Sequence, residues 1–248
     1  MALIKDIAIA LRRLDYSETS QVLSMLTRDH GQQRIIAKGI KRGTKTRAAV
    51  GIDLLELGQI VFSQRSERED ALATMTEWRQ EDSFPHLRRD LVRCYSAQYA
   101  AEVTSHLTET NDPHPALFDA LRRLLGDLKD ADALVALVGY LWLMLREIGL
   151  GPELDRCMNC NREVTNDRVL YFSSRQGGAI CRDCEPAAID KRRISRDLVK
   201  GLTSGATMPA KIARDAFEML DYHLREIMSR PARLSGALRT ALALPLNQ

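Results

Sequence analysis

Four of the five cysteines in the 248-residue chain fall in a pattern that can do chemistry, Cys157-x-x-Cys160 and Cys181-x-x-Cys184, with 20 residues between the pairs. That spacing lies at the long end of the range for a site of four thiolates. Each Cys-x-x-Cys turn aims two sulfurs at one point while its backbone amides donate to them, and two such turns close a tetrahedron. The pattern predicts one structural Zn2+ per chain, held by Cys157, Cys160, Cys181 and Cys184. Four sulfur ligands leave no open coordination position, so the ion would hold structure and would not act on a substrate. None of the five histidines lies between residues 115 and 222, so no further ligand is offered nearby. The competing uses are two disulfides, which a reducing compartment disfavours, and a redox pair, which leaves the second pair unexplained. Cys94, the fifth cysteine, stands beside Tyr95 on a helical stretch and reads as core packing.

The second constellation is electrostatic. The net charge of +3, from 36 Lys and Arg against 33 Asp and Glu, says little until it is located. Residues 1–80 carry 13 basic and 10 acidic side chains and residues 81–248 carry 23 of each, so the whole excess sits in the first third. Between Asp29 and Asp53 there is no acidic residue, yet Arg34, Lys38, Lys41, Arg42, Lys45 and Arg47 occur there, interleaved with Gly39, Gly43 and Thr44. A solvated loop is the bland explanation. Six cations without local carboxylates point instead to a phosphate-binding surface, which Lys5, Arg12 and Arg13 can extend. Tyr16, Phe62 and Trp78 are the aromatics of the first 80 residues. Each is as readily core as a stacking platform, so the expectation is backbone tracking with little sequence preference.

These groups need elements to position them. Ile4–Leu14 alternates with period two, Val22–Thr27 is a second apolar run, and Arg28-Asp29-His30-Gly31 supplies hairpin chemistry. Arg34–Ile40 makes a third strand and Ile52–Gln64 one or two more around Gly58. Five short strands in about 70 residues predict a small barrel. The alternative for Ser20–Arg28 is a helix capped by Ser20.

From Ser83 the period becomes helical. Ser83-Phe84-Pro85 is a start signal, and helices fit Leu87–Val103, Ala116–Leu128, Ala131–Ile148, Ser195–Thr203 and Pro209–Met228, with another possible after Leu234. Val169–Phe172 and Gly177–Ile180 read as a strand pair bent at Gly177-Gly178, the ribbon that would hold the two cysteine turns. The fold class is therefore α+β, a β-barrel over residues 1–80 followed by a helical domain over 81–248 with a zinc-ribbon insert at about 152–188.

Several functions are excluded at this level. The longest apolar run, Ala133–Leu145, has 13 residues, short of the roughly 20 that cross a bilayer. Lys5 and Asp6 interrupt the first apolar stretch, so no signal-peptide core is present and the expected location is cytoplasmic, with no membrane partner. No Gly-Lys pair of a phosphate-binding loop, no His-Glu-x-x-His and no Gly-x-Ser-x-Gly occurs. Asp127, Asp130 and Asp132 read as solvent-facing residues and a cap. No catalytic residue is assigned and the chain is expected not to be an enzyme.

Several segments, taken in order, resemble the bacterial RecO family of DNA repair and recombination mediators. Tyr16-Ser17-Glu18-Thr19 is similar to its Tyr-Gly-Glu-x segment, with Ser17 where glycine is usual. Thr27-Arg28-Asp29-His30-Gly31 resembles its Thr-x-x-x-Gly turn, and Ala37-Lys38-Gly39-Ile40-Lys41-Arg42 its Ala-Lys-Gly signature. Leu150–Cys157, Tyr171-Phe172-Ser173 with Gly177-Gly178, and Ser229-Arg230 fit the stretches around the zinc knuckles and after the last long helix. Thr44-Lys45-Thr46-Arg47 is only loosely like the family's basic loop. The resemblance implies an N-terminal OB-fold and a helical domain bearing a zinc ribbon, and a nucleoid-associated protein. It implies binding to single- and double-stranded DNA, annealing of complementary strands and, with RecR, loading of RecA onto DNA coated by SSB. The SSB C-terminal tail would need an apolar groove rimmed by cations, for which Arg214, Arg225, Arg230 and Arg233 are candidates, and Lys191-Arg192-Arg193 is a further basic cluster. The rival assignments are an RNA-binding, translation-associated protein of OB-fold and zinc ribbon, and a zinc-dependent nuclease or transferase.

Overall fold

Period-two alternation in the first third of the chain folds into five strands, β1 (Leu3–Asp15), β2 (Gln21–Thr27), β3 (Gly31–Ala37), β4 (Leu57–Ser63) and β5 (Ala73–Asp82). The structure, a computed structural model, describes residues 3–42, 51–63, 72–167, 169–204 and 208–243. The strands close into a barrel of order β1-β2-β3-β5-β4, in which β3 and β5 run parallel through Ile35↔Ala73 and Ile36↔Thr74. This is the OB-like arrangement. One strand serves both sides of the closure because β1 is long: Leu3–Ile9 pairs with β4 and Ala8–Asp15 with β2. The register shift between Ala10 and Arg12 bends β1 from one neighbour to the other. Ala8, Ala10, Leu23, Met25, Ile35, Ile60, Phe62 and Met75 fill the interior.

The segment from Ser20 to Arg28 is strand and not helix, because Leu23 and Met25 are buried while Val22 and Ser24 are only half-buried, a period of two. The third strand ends earlier than expected, at Ala37, where Gly39 takes a φ of 69° and turns the chain. Among the described residues of the Ile52–Gln64 window one strand forms, β4. Ile52 nevertheless enters the core, with its amide donating to Gln21 Oε1 at 2.9 Å. The fifth strand, β5, is one the alternation did not announce.

Helical periodicity beyond Ser83 produces a short 3-10 turn, Pro85–Arg89, and then α1 (Leu91–Leu107). The helix does not start at Pro85, because Asp90 adopts extended backbone and caps it by accepting from the Arg93 amide at 2.9 Å. Helices α2 (Pro115–Asp127), α3 (Ala133–Glu147), α4 (Arg196–Thr203), α5 (Ala210–Met228) and α6 (Ser235–Ala241) follow. Asp132 and Ser195 cap α3 and α4 through amides of their first turns. Two compact units result, Met1–Lys129 with Gly236–Gln248, and Asp130–Ser235. In the first, α1 and α2 are tied to the barrel: Arg28 reaches Asp119 at 3.0 Å, and Thr108 donates to Gln32 at 3.2 Å. In the second, α3 packs on α5, and Leu137 and Leu141 of the one and Phe217 and Leu220 of the other are fully buried. Inserted between α3 and α4 is a small sheet of order β7-β6-β8, where β6 is Leu170–Ser173, β7 Gly178–Cys181 and β8 Arg192–Ile194.

Candidate metal centre and nucleic-acid interface

The cysteine ribbon forms as its spacing requires. β6 and β7 pair from Leu170↔Cys181 to Ser173↔Gly178, and Gly177 at φ 76° completes the turn. Cys181 thus stands at the end of β7, and its amide donates to Cys157 Sγ at 3.4 Å. The first cysteine turn is braced by the hairpin: the Met158 amide donates to Ala179 O at 2.9 Å, the Glu153 amide donates to Gly177 O at 3.0 Å, and Glu153 O accepts from the Ala179 amide at 2.8 Å. Asn161, in left-handed backbone at φ 58°, closes the turn by donating to Cys157 O at 2.8 Å. A bidentate pair, Arg162 to Asp167 at 2.9 and 2.7 Å, ties the loop that follows.

The four Sγ atoms of Cys157, Cys160, Cys181 and Cys184 all lie within 4.8 Å of one another, with Cys160 and Cys181 3.9 Å apart, and none is in a disulfide. A tetrahedron of thiolates around zinc, with bonds of about 2.3 Å, has edges of about 3.8 Å. Cys157 and Cys181 are buried, Cys184 is partly buried and Cys160 is exposed. Burial opposes ionisation of Cys157, but the amides of Cys160, Cys181 and Asn159 donate to its sulfur and bring the thiol down to about 6. Such a donor set, soft, preassembled and supplied with N–H groups, fits a metal ion. Four protein ligands fill a tetrahedron, so a metal here would tie the two turns together without presenting an open site to a substrate.

Around the ribbon lies a polar network that spacing alone did not reveal. Asp190 accepts from Ser173 Oγ at 2.7 Å, Tyr222 OH at 2.8 Å and the Arg175 amide at 3.2 Å. Arg192 lies 4.0 Å over the Tyr222 ring. Cys94, in the other unit, is half-buried on α1, and burial pushes its thiol up, in keeping with a packing role.

The basic residues divide into three groups. Arg34 is exposed on the outer face of β3, and Lys38 and Arg42 are exposed in the turn that follows. Among the described residues these three make no ion pair. Lys41 does: its Nζ lies 2.9 Å from Asp15 Oδ2, and this contact, with a bond from Gln21, holds the Asp15 carboxyl below the usual range. The carboxylate missing locally is thus supplied by the end of β1. Lys45 and Arg47 lie outside the described residues. Of the candidate extensions, Arg12 stands opposite Ser24, which stands opposite Arg34, so the three share one outer row. Arg13 falls in the adjacent row of opposite facing and pairs with Asp53 at 2.8 Å, a carboxylate that also binds Arg88 at 2.8 Å. Lys5 lies at the other end of β1, opposite Val61.

The β1–β2 loop and the basic turn are joined. The Lys41 amide donates to Thr19 O at 3.1 Å and the Gly39 amide to Ser20 Oγ at 3.5 Å. Of the three aromatics of this region, Phe62 is fully buried, Trp78 packs on the core, and Tyr16 is 66% exposed beside Leu14 at 64%. The end of β1 is exposed on both sides, from Arg12 to Asp15, and Tyr16 follows it into the loop, so no alternation in the sequence marks Leu14 and Tyr16 as outward.

Residues 1–84 match the N-terminal domain of Recombination protein O, and residues 88–233 match its C-terminal domain. The chain belongs to the RecO family. It is similar to the DNA repair protein RecO of Anaeromyxobacter dehalogenans, 31% identical over 242 residues that cover 92% of both chains. It is likewise similar to RecO of Rhodopirellula baltica, 32% identical over 82% of this chain and 74% of the relative, and of Bacillus subtilis, 32% identical over 73% and 69%. The order of elements, an OB-like barrel and then helices with a four-cysteine ribbon, is in this chain that of a RecO DNA repair and recombination protein. In that RecO frame the Tyr16–Thr19 segment is the β1–β2 loop, and Ala37–Arg42 is the turn bonded to it. Among the described residues no helix is long and apolar enough to cross a membrane.

Proposed function

We propose that this RecO protein is a non-enzymatic DNA-binding mediator of recombinational repair. It binds single- and double-stranded DNA, anneals complementary strands and, with RecR, helps to load RecA onto single strands coated by SSB, whose C-terminal tail it contacts. The DNA surface is formed by Arg34, Lys38, Lys41, Arg42, Lys45 and Arg47 on the barrel domain, residues 1–80, while residues 81–248 carry the metal and the protein contacts. The metal is one structural Zn2+ on Cys157, Cys160, Cys181 and Cys184, and the place of action is the cytoplasmic nucleoid.

The observation that carries this reading is the solvent-facing group Arg34, Lys38 and Arg42, without carboxylate partners among the described residues, on one end of an OB-like barrel. Annealing requires no bond to be made or broken. Two polyanions repel until their phosphates are neutralised, and cations held on a fixed surface do this for both strands at once. The deciding experiment is a strand-annealing assay on SSB-coated DNA, comparing the natural protein with one carrying Lys38→Glu, Lys41→Glu, Arg42→Glu and Lys45→Glu. Annealing should fall at least tenfold in the variant, with its circular dichroism spectrum retained. Equal annealing by the two proteins would refute this site.

A further inference from the structure

The ladder registers place two rows of side chains on the outside of the barrel sheet. Arg12, Ser24 and Arg34 form one, and Leu14, Val22 and Ile36 form the next, toward the β1–β2 loop. Residues directly opposite in neighbouring strands share a face, so the cations and the apolar strip lie side by side. Val22 and Ile36 are half-buried, Leu14 is 64% exposed, and Tyr16, beyond the end of the strip, is 66% exposed. The loop that carries the tyrosine is held by hydrogen bonds. The Tyr16 amide donates to Ser20 O at 3.0 Å, Ser17 Oγ accepts from the Ser20 amide at 3.2 Å, and the Thr19 carbonyl holds the Lys41 amide at 3.1 Å. The Tyr16 hydroxyl bonds to no described residue. An outward aromatic ring on a hydrogen-bonded loop, at the end of an apolar strip next to the row of Arg12 and Arg34, which make no ion pair among the described residues, suits a ligand with flat apolar faces and regularly spaced negative charges. Arg12 and Arg34 stand two strands apart, roughly 10 Å at about 4.8 Å per strand, a distance that a flexible single strand spans with one or two nucleotides.

We propose that Tyr16 is a base-stacking platform, on which an unpaired base of single-stranded DNA lies while the flanking phosphates contact Arg12 and Arg34. This rests on the assignment of this face to DNA and adds what it grips. A phosphate surface alone holds duplex and single strand alike, whereas a stacking ring engages only bases that are not already paired. Tyr16 therefore adds a contact that the single strand makes and the duplex does not.

The test uses the full-length protein and two fluorescent oligomers of equal length, oligo-dT and an abasic deoxyribose-phosphate chain, with affinity read by anisotropy. Tyr16→Ala should weaken binding to oligo-dT about tenfold. It should leave the abasic oligomer and the salt slope unchanged, and Tyr16→Phe should retain binding to oligo-dT. Wild-type affinity of Tyr16→Ala for oligo-dT would overturn the proposal, as would an equal loss on both oligomers, which would mean a backbone contact. Failure of the underlying DNA assignment has a separate signature: the natural protein would bind neither oligomer with a salt dependence.

Discussion

Asp190 illustrates how much of this fold's energetics rests on single polar groups. Burial disfavours its charge, but Ser173 Oγ, the Arg175 amide and Tyr222 OH all donate to it, and together they hold the carboxyl below its usual range. The partner shows the complementary shift, since burial and then its hydrogen bond to Asp190 push the Tyr222 phenol up to about 12. Replacing Asp190 by Asn turns an acceptor of three hydrogen bonds into a group that is half donor, which should cost about 2 kcal/mol at pH 7. The sign with pH follows from the lowered pKa. A carboxylate stabilised in the native state contributes fully above its unfolded pKa of about 3.9 and loses that contribution as the pH falls through the native value. The stability gap between the natural protein and Asp190→Asn should therefore be constant from pH 7 to 5 and close below pH 4. Urea unfolding at a series of pH values measures it, and a gap that widens on acidification would contradict the hydrogen-bond assignment.

At the scale of elements, the ribbon depends on a close approach that only glycine permits. A Cβ on Gly178 would sit 2.2 Å from Glu153 O, whereas one on Gly177 meets nothing within 4 Å and is opposed only by the φ of 76°. Gly178→Ala should therefore separate β7 from the segment that carries Cys157, while Gly177→Ala costs about 1 kcal/mol of backbone strain. For the proposed zinc, the expected result by elemental analysis is loss in Gly178→Ala and retention in Gly177→Ala; chelation of the natural protein should reproduce the first variant's lowered melting temperature. Equal zinc in both would show that the close approach is not needed. The cysteine turns, β6 and β7 were legible because fixed spacing and a Gly-Gly bend are local signals. β8 was not, since its three residues include Arg192 and Arg193 and show no alternation. β5 was hidden for a similar reason: after Ala73 and Met75 it runs on through Glu77, Arg79, Gln80, Glu81 and Asp82, all exposed, and only pairing with β4 makes it a strand. The start of α1 was misplaced because Pro85 is a good first-turn residue, and nothing local says that Asp90 will break and recap the chain.

Charge behaves differently at the scale of the whole molecule, because partners distant in sequence meet on closure of the barrel. Counting along the chain gave six uncompensated cations, yet one of them, Lys41, meets Asp15, 26 positions away and 2.9 Å off, and Arg13, a candidate extension of the patch, meets Asp53. A net charge of +3 on 248 residues steers little at physiological salt, where the Debye length is about 8 Å. Binding must then come from cations in direct contact with phosphate, and the salt dependence counts them, at about −0.7 in log-log slope per contact with a single strand. Six contacts would give a slope of about −4. Lys38→Ala should reduce its magnitude by about 0.7, while Lys41→Ala should change it less, because a lysine already countered by Asp15 releases fewer counterions from the DNA. Asp15→Asn supplies the converse: it frees Lys41 for phosphate and should strengthen oligo-dT binding at 50 mM salt while steepening the slope. Titrations of the four proteins across 50 to 200 mM salt decide the matter. Equal reductions for Lys38→Ala and Lys41→Ala, with no gain in Asp15→Asn, would mean that the ion pair opens when DNA binds and that the sequence count of six was the right one after all.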